Sequence, residues 1–300
     1  MLRIIADSTC DISKEDARKM RIQIVPISVR FGDEEFLDGV EITHEEFYKR
    51  LAECDELPKT SQPSPDTFMK VFNEAVADGD DVLGIFISSD LSGTYQSACL
   101  AASDVEDETG KKLYMVDSRS ASIGTALLIR EAVKLRDAGV NAADIAAACT
   151  GMSKYIKLTA VVGSLKYLKM GGRLSGAAAF AGTMLHITPV VSIEDGKVVV
   201  IGKTRGKKAA EKLMHDKLTK DGLSLTRDFM FGHINCSESL ETFINKSLTY
   251  ISDVNGNVGV SSIGCSVGTH VGPGTYGIAY VEAAESGMNR ESIVKTAWFL

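Results

Sequence analysis

The sequence predicts an α/β protein of two domains, a parallel α/β/α domain followed by a mixed-sheet α/β domain. Three observations carry that expectation. Three hundred residues suffice for two moderate domains. The first half alternates short apolar runs with helical patterns, the order of a parallel sheet covered on both faces. The second half places Asp195-Gly196 between two β-rich runs, a hairpin signal that brings antiparallel pairing into the sheet. The boundary falls near residue 160. Residues 1–160 form the first domain, 161–284 the second, and 285–300 an appended helix or loose tail.

Leu2 to Ala6 reads as the first strand, followed by the polar turn Asp7-Ser8-Thr9-Cys10-Asp11 and a short helix to Met20 capped by Ser13. Ile22, Ile24 and Ile27 mark a second extended stretch. Pro26 puts it at an edge, because proline cannot donate to a ladder. Gly32-Asp33 turns the chain, and Thr43-His44-Glu45-Glu46 is a capping box opening a helix to Cys54. Thr60 to Pro65 is a rigid, hydroxyl-rich loop. Its Ser64 can cap, and Pro65 suits the first position, of a helix to Ala77.

Val82 to Ile87 is an apolar run suited to a buried strand. Ser88 to Ser92 forms a polar turn, and a helical pattern starts at Gly93 with Tyr95, Ala98 and Ala102. A strand follows at Lys112–Val116, then helices at 122–138 and 141–154. Thr159 to Gly163 is a further strand, and Ser164 to Lys169 a helical turn or two. Ala177 to Leu185 is nearly all small or apolar, which suits close packing or a smooth cavity wall. Strands at 187–193 and 198–203 form the hairpin. A helix to Lys220, a strand at 229–235, a helix at 238–251 and strands at 258–264 and 277–283 complete the chain, the last closing the sheet.

The net charge of −7 argues against general nucleic-acid binding. The charge is uneven. Residues 163–212 hold nine Lys/Arg against three acids, a segment of +6 that leaves −13 elsewhere. The six cysteines show no CxxC pair and no zinc spacing, so no metal set is read from the sequence. No apolar run reaches membrane-spanning length, and no stable membrane anchor is read. A reducing cytoplasm with free thiols is the expected setting.

Four polar turns sit at the carboxyl ends of predicted strands: Asp7-Ser8-Thr9, Ser88-Ser89, Ser92 and Asp117-Ser118. Ligands of parallel sheets bind on that rim. Ser88 to Gly93 suits an anion site at a helix start, and equally an ordinary serine cap. It contains no lysine and is not a Walker loop. Gly264-Cys265-Ser266-Val267-Gly268 matches the GxSxG nucleophile elbow, which would make Ser266 the nucleophile of an acyl-ester hydrolase. That elbow must enter a helix, and Thr269 to Gly274 reads as a glycine-rich turn instead, with His270 on a tight, exposed loop. Gly171-Gly172-Arg173 presents a guanidinium suited to phosphate or carboxylate, with Arg205 in the same basic segment.

Six segments in order resemble the DegV family of bacterial fatty-acid-binding proteins. They are Ala6–Asp11, Thr60-Ser61-Gln62-Pro63-Ser64, Ile87–Ala98, Leu165–Arg173, Arg205-Gly206 and Gly268–Gly274, covering about residues 1–284. The resemblance implies a two-domain fold with one long-chain fatty acid between the domains. The acyl chain lies in an apolar tunnel of the second domain. It also implies a non-catalytic binding subunit of a fatty acid kinase, with no cofactor. A separate ATP-binding subunit, similar to dihydroxyacetone kinases, would phosphorylate the bound acid. Carried over by motif, Thr60 and Ser92 become the carboxylate hydroxyls. Ser61 and the Gly93 N–H stand close to them, His270 is beside the head group, and Arg173 and Arg205 face the kinase.

Overall fold

A computed structural model describes residues 1–54, 56–176, 187–224, 227–249 and 256–283. The chain opens with β1 (Leu2–Asp7), α1 (Lys14–Met20) and β2 (Ile22–Val25). Ser13 caps α1 by accepting the Asp16 N–H. Pro26 follows the last residue of β2, which is an edge strand as expected. Next come β3 (Ser28–Phe31) and β4 (Glu34–Leu37), joined through Gly32. Then follow α2 (His44–Glu53), capped by Thr43, and β5 (Lys59–Ser61).

Strands β3, β4 and β5 form a small antiparallel sheet of order β4-β3-β5, with Val29 opposite Thr60. The Thr60 segment, expected as loop, is thus in part a strand. Its pairing partner lies thirty residues upstream, which no local pattern reveals.

The first half continues with α3 (Pro65–Ala77), β6 (Asp81–Phe86), α4 (Thr94–Thr109), β7 (Leu113–Asp117), α5 (Ile123–Asp137) and α6 (Ala142–Met152). Its main sheet has the order β2-β1-β6-β7 and is parallel throughout.

The second half holds β8 (Ile156–Val161), α7 (Lys166–Met170), β9 (Thr188–Glu194), β10 (Lys197–Thr204) and α8 (Lys207–Asp221). It ends with β11 (Phe229–His233), α9 (Ser237–Ser247), β12 (Val258–Ser262), α10 (Cys265–Val271) and β13 (Tyr276–Val281). Its sheet runs β10-β9-β8-β13-β11-β12, and only β11 and β12 pair in parallel. The last strand does not close the sheet at an edge. It inserts between β8 and β11, and all six of its residues are buried.

The layers follow from which faces are apolar. Helices α3 and α4 cover one face of the parallel sheet through Phe68, Phe72, Ala98 and Ala101. Helix α5 is buried along most of its length and packs between the two sheets, joining Ile4 and Ile85 to Ile156, Met230 and Ala279 in one core. Helices α8 and α9 cover the outer face of the mixed sheet over Phe231, Tyr276 and Ile278. A smaller cluster locks the two halves together: Val29, Phe47 and Tyr48 pack against Ile234, Ile263 and Cys265. No disulfide joins the six cysteines. No helix among the described residues is long and apolar enough to cross a membrane.

The glycine-rich turn expected after Ser266 begins later than its sequence suggests. Residues 265–271 are helical, and the helix ends at Gly272 with φ of +72°. The Asp38 carboxylate accepts the Cys265 and Ser266 N–H groups at 3.1 Å each. A cap from a distant segment satisfies the first turn and overrides weak local propensity. The apolar segment Ala177–Leu185 and the 285–300 tail lie outside the described residues.

Candidate functional site

The site is built where the small sheet, the start of α4, the loop after α7 and the end of α10 come together. Pairing with β3 holds Thr60 in the middle of β5. Helix α10 places His270 in its last turn, half-buried, rather than on an exposed loop. Thr60 Oγ1 and His270 Nε2 stand 2.9 Å apart. Burial, and to a lesser degree the nearby Arg173 charge, push the His270 pKa down to about 4. The imidazole is therefore neutral at physiological pH, with one nitrogen able to accept and one to donate. Its Nδ1 is buried and has no hydrogen-bond partner among the described residues.

Gly171 explains how the histidine fits. A Cβ built there would lie 2.3 Å from His270 Nδ1 and 3.1 Å from the Tyr167 carbonyl. Only the missing side chain lets the backbone after α7 approach the ring.

Arg173, expected as an exposed guanidinium, is half-buried and engaged. Its Nε donates to the Leu91 carbonyl at 3.2 Å and its Nη1 to the Gly171 carbonyl at 2.6 Å. It thereby ties the loop before α4 to the loop after α7. Arg205 is exposed just before α8, with no hydrogen bond or ion pair to it among the described residues.

Ser92 is half-buried at the start of α4, its Oγ 2.9 Å from Thr94 Oγ1. Gly93 is the residue before the helix. A Cβ on Gly93 would lie 2.2 Å from Gln62 Oε1, so Gln62 packs directly over it. Gln62 Nε2 in turn donates to Ser97 Oγ at 2.9 Å. The Thr60-Ser61-Gln62 segment is thus fastened to the first turn of α4, with Ser61 exposed beside it.

The structure brings Thr60, His270 and Arg173 into one neighbourhood, and joins Gly93 to the Thr60 segment through Gln62. Sequence reasoning quoted Gln62 within a motif without giving it a role. Its signal was weak, a single amide in a loop. Gly171 stands in the sequence only as a neighbour of Arg173, and its close approach to His270 is visible only in three dimensions.

The expected rim of four polar turns is mostly occupied by the protein itself. Asp7 is fully buried and accepts the Ile87 and Thr9 N–H groups at 2.9 Å. Ser88 Oγ donates to the Gly196 carbonyl at 2.8 Å and so docks the β9–β10 hairpin. Ser89 donates to Asp117 at 2.5 Å, and Ser118 bonds within its own turn. Ser92, too, has a local partner: its Oγ accepts the Thr94 N–H at 3.3 Å.

Ser266 is the second residue of α10 and lies four residues after the end of β12 at Ser262, so the strand-to-helix order of a nucleophile elbow is present after all. Its environment differs from an elbow's. Ser266 is buried, its N–H is held by Asp38, and no hydrogen bond joins its Oγ to a histidine among the described residues. A cleft of about 570 Å³ lined by His215, Thr242, Asn245, Lys246 and Thr249 lies on the outer side of the mixed sheet and contains none of the candidate residues.

Residues 1–283 match the DegV family profile, described as an uncharacterised protein of the DegV family. A DegV domain-containing protein of Clostridium perfringens is 34% identical over 290 residues, covering 94% of this chain and 98% of the relative. A DegV family protein from Thermus thermophilus, whose structure concerns fatty acid binding, superposes with a TM-score of 0.83 at 30% identity, covering 94% of this chain and 99% of that one. A stearic-acid-binding protein from Eubacterium ventriosum gives 0.82 at 29% identity, covering 94% and 98%.

Proposed function

The chain belongs to the DegV family, and from that premise we propose that it binds one long-chain fatty acid and presents its carboxylate to a separate kinase subunit. The observation that carries the reading is the Thr60–His270 pair at 2.9 Å, on a segment fastened to Gly93 through Gln62, in a chain whose structural relatives bind fatty acids. A desolvated carboxylate needs several donors. Thr60, Ser61 and Ser92 hydroxyls and the Gly93 N–H supply them without a permanent cation in contact. The neutral His270 stands beside them and adds a donor.

In this reading residues 1–160 carry the head-group rim, 161–284 carry the acyl tunnel, and 285–300 are an addition to the family pattern. A chain of about sixteen carbons gains on the order of 10 kcal/mol from burial at about 0.8 kcal/mol per CH₂, before ordering costs. That suits slow release.

An acid held by neutral hydroxyls keeps a nucleophilic carboxylate oxygen. A partner resembling dihydroxyacetone kinases would transfer the terminal phosphoryl group of ATP to that oxygen, giving the acyl phosphate and ADP. The pairing sets this chain in the cytoplasm, where ATP is available. Exposed Arg205 suits the partner surface, and Arg173 ties the loop before α4 to the loop after α7.

The test is calorimetric titration of delipidated protein with stearic acid, followed by addition of ATP and a family kinase subunit. Saturable one-to-one binding and acyl phosphate that needs both proteins are expected. Absence of saturable binding would overturn the proposal. Binding without acyl phosphate would overturn its kinase half.

A further inference from the structure

We propose that Asp38, His44 and Cys265 form a binding site for a zinc ion, at the seam between the small sheet and α10. Asp38 and His44 are close in sequence but Cys265 lies more than two hundred residues further on, so no spacing announces the set. In space they offer one oxygen, one nitrogen and one sulfur, all within 4.8 Å of one another. Donors around a tetrahedral zinc stand roughly 3.3–3.8 Å apart, given bonds of about 2.0–2.3 Å. Side-chain adjustments of about an ångström would close the set around an ion.

The scaffold already holds these side chains together. The backbone of Asp38 bridges to Ile42, a turn that sets Asp38 close to His44 at the start of α2. Asp38 Oδ1 accepts the Cys265 N–H at 3.1 Å, which fixes the first residue of α10 against the carboxylate. Gly264 leaves the space between them open. The point where its Cβ would stand is 3.0 Å from Asp11 Oδ1, 3.1 Å from His44 Nε2 and 3.4 Å from Asp38 Oδ1. Three donor atoms from three segments converge on one residue without a side chain.

The charge of the neighbourhood favours a cation. Asp7, Asp11 and Asp38 are each at most 6% exposed. Among the described residues no lysine or arginine forms an ion pair with any of them. Their oxygens are held by neutral N–H and hydroxyl donors, among them the Gly264, Cys265 and Ser266 N–H groups, and a divalent ion would add the positive charge that those donors do not supply. The donor set selects the ion. Thiolate and imidazole ligands disfavour magnesium and calcium, which take oxygen, and suit zinc. Binding is a ligation without redox change: the Cys265 thiol proton leaves to solvent as the Zn–S bond forms, and His44 and Asp38 each donate an electron pair. Cys265 and Asp38 are buried, and half-buried His44 provides the side of entry. A bound ion would staple the segment before α2 to α10, the helix that carries His270.

The test uses full-length protein stripped with a chelator and desalted. Zinc is titrated in competition with a chromophoric chelator, and cobalt(II) is added in parallel as a spectroscopic probe. One zinc per chain and a thiolate-to-cobalt charge-transfer band are expected. Cys265→Ser should abolish the band, and His44→Gln should weaken zinc binding at least ~10-fold. His44 is half-buried, so His44→Gln remains decisive if the cysteine variant fails to fold. No stoichiometric zinc uptake by the parent, or uptake and a cobalt spectrum unchanged in His44→Gln, would overturn the proposal.

Discussion

Gly171→Ala is the sharpest test of the site's construction, because a single methyl group reaches the histidine that the account depends on. The new Cβ would stand 2.3 Å from His270 Nδ1 and 3.2 Å from its Cε1. Ordinary contact begins near 3.4 Å, so the ring must retreat by about 1 Å. A shift of that size disrupts the Thr60–His270 contact of 2.9 Å. Overpacking of this kind costs about 1–3 kcal/mol, and the lost hydrogen bond about 1 kcal/mol more. A loss of about 2–4 kcal/mol in stability is expected, with weaker fatty-acid binding alongside. Gly172→Ala is the control. Its Cβ would meet open space, and φ of +71° imposes backbone strain of about 1–2 kcal/mol without touching the ring. Urea unfolding and calorimetric titration of both variants decide the matter. Should Gly171→Ala match the parent within ~0.5 kcal/mol in both assays, the close approach of Gly171 to His270 does not shape the site.

Other outcomes follow from the same geometry. Ser92→Ala and Thr60→Ala each leave a head-group oxygen without a donor, weakening fatty-acid affinity by about 1–3 kcal/mol, with the double variant non-additive because both serve one carboxylate; calorimetric titration checks this. Arg173→Glu places an acid against the Leu91 and Gly171 carbonyls, so it should lower stability by about 2–4 kcal/mol as well as impair acyl-phosphate formation, whereas exposed Arg205→Glu should leave thermal stability and lipid binding unchanged and cut only the coupled assay. The depressed His270 pKa has a signed consequence: the unfolded state takes up a proton near pH 6.5 and the folded state only near 4. Stability is therefore fully present above about 6.5 and falls as pH drops toward 4, by at most roughly 3 kcal/mol. An NMR titration should find the His270 midpoint near 4, and His270→Gln should flatten the acid limb of the stability curve.

Local signals in the sequence were read correctly where the chemistry is local. Ser64 and Pro65 start α3, Thr43 starts α2, and Asp195-Gly196 turns the hairpin, each through contacts within a few residues. Features made by distant partners were not legible. Helix α10 depends on the Asp38 cap, supplied from more than two hundred residues away. Strand β5 depends on pairing with β3, and the central place of β13 depends on two partners that no local pattern names. The candidate site shows the same division. Thr60, Ser92 and His270 were singled out from motifs, but the burial that keeps His270 neutral and the engagement of Arg173 arise only from packing. The polar turns at Asp7 and Ser88 showed the opposite error, since polar residues at strand ends can serve the protein's own backbone and interfaces.

The central claim is that this chain holds a fatty acid. Purified protein, denatured and extracted, should yield about one long-chain fatty acid per chain by mass spectrometry. Delipidated protein should take up the same species again, and Thr60→Ala/Ser92→Ala should retain much less of it. Repeated extractions that release no fatty acid, together with no uptake by delipidated protein, would contradict the account.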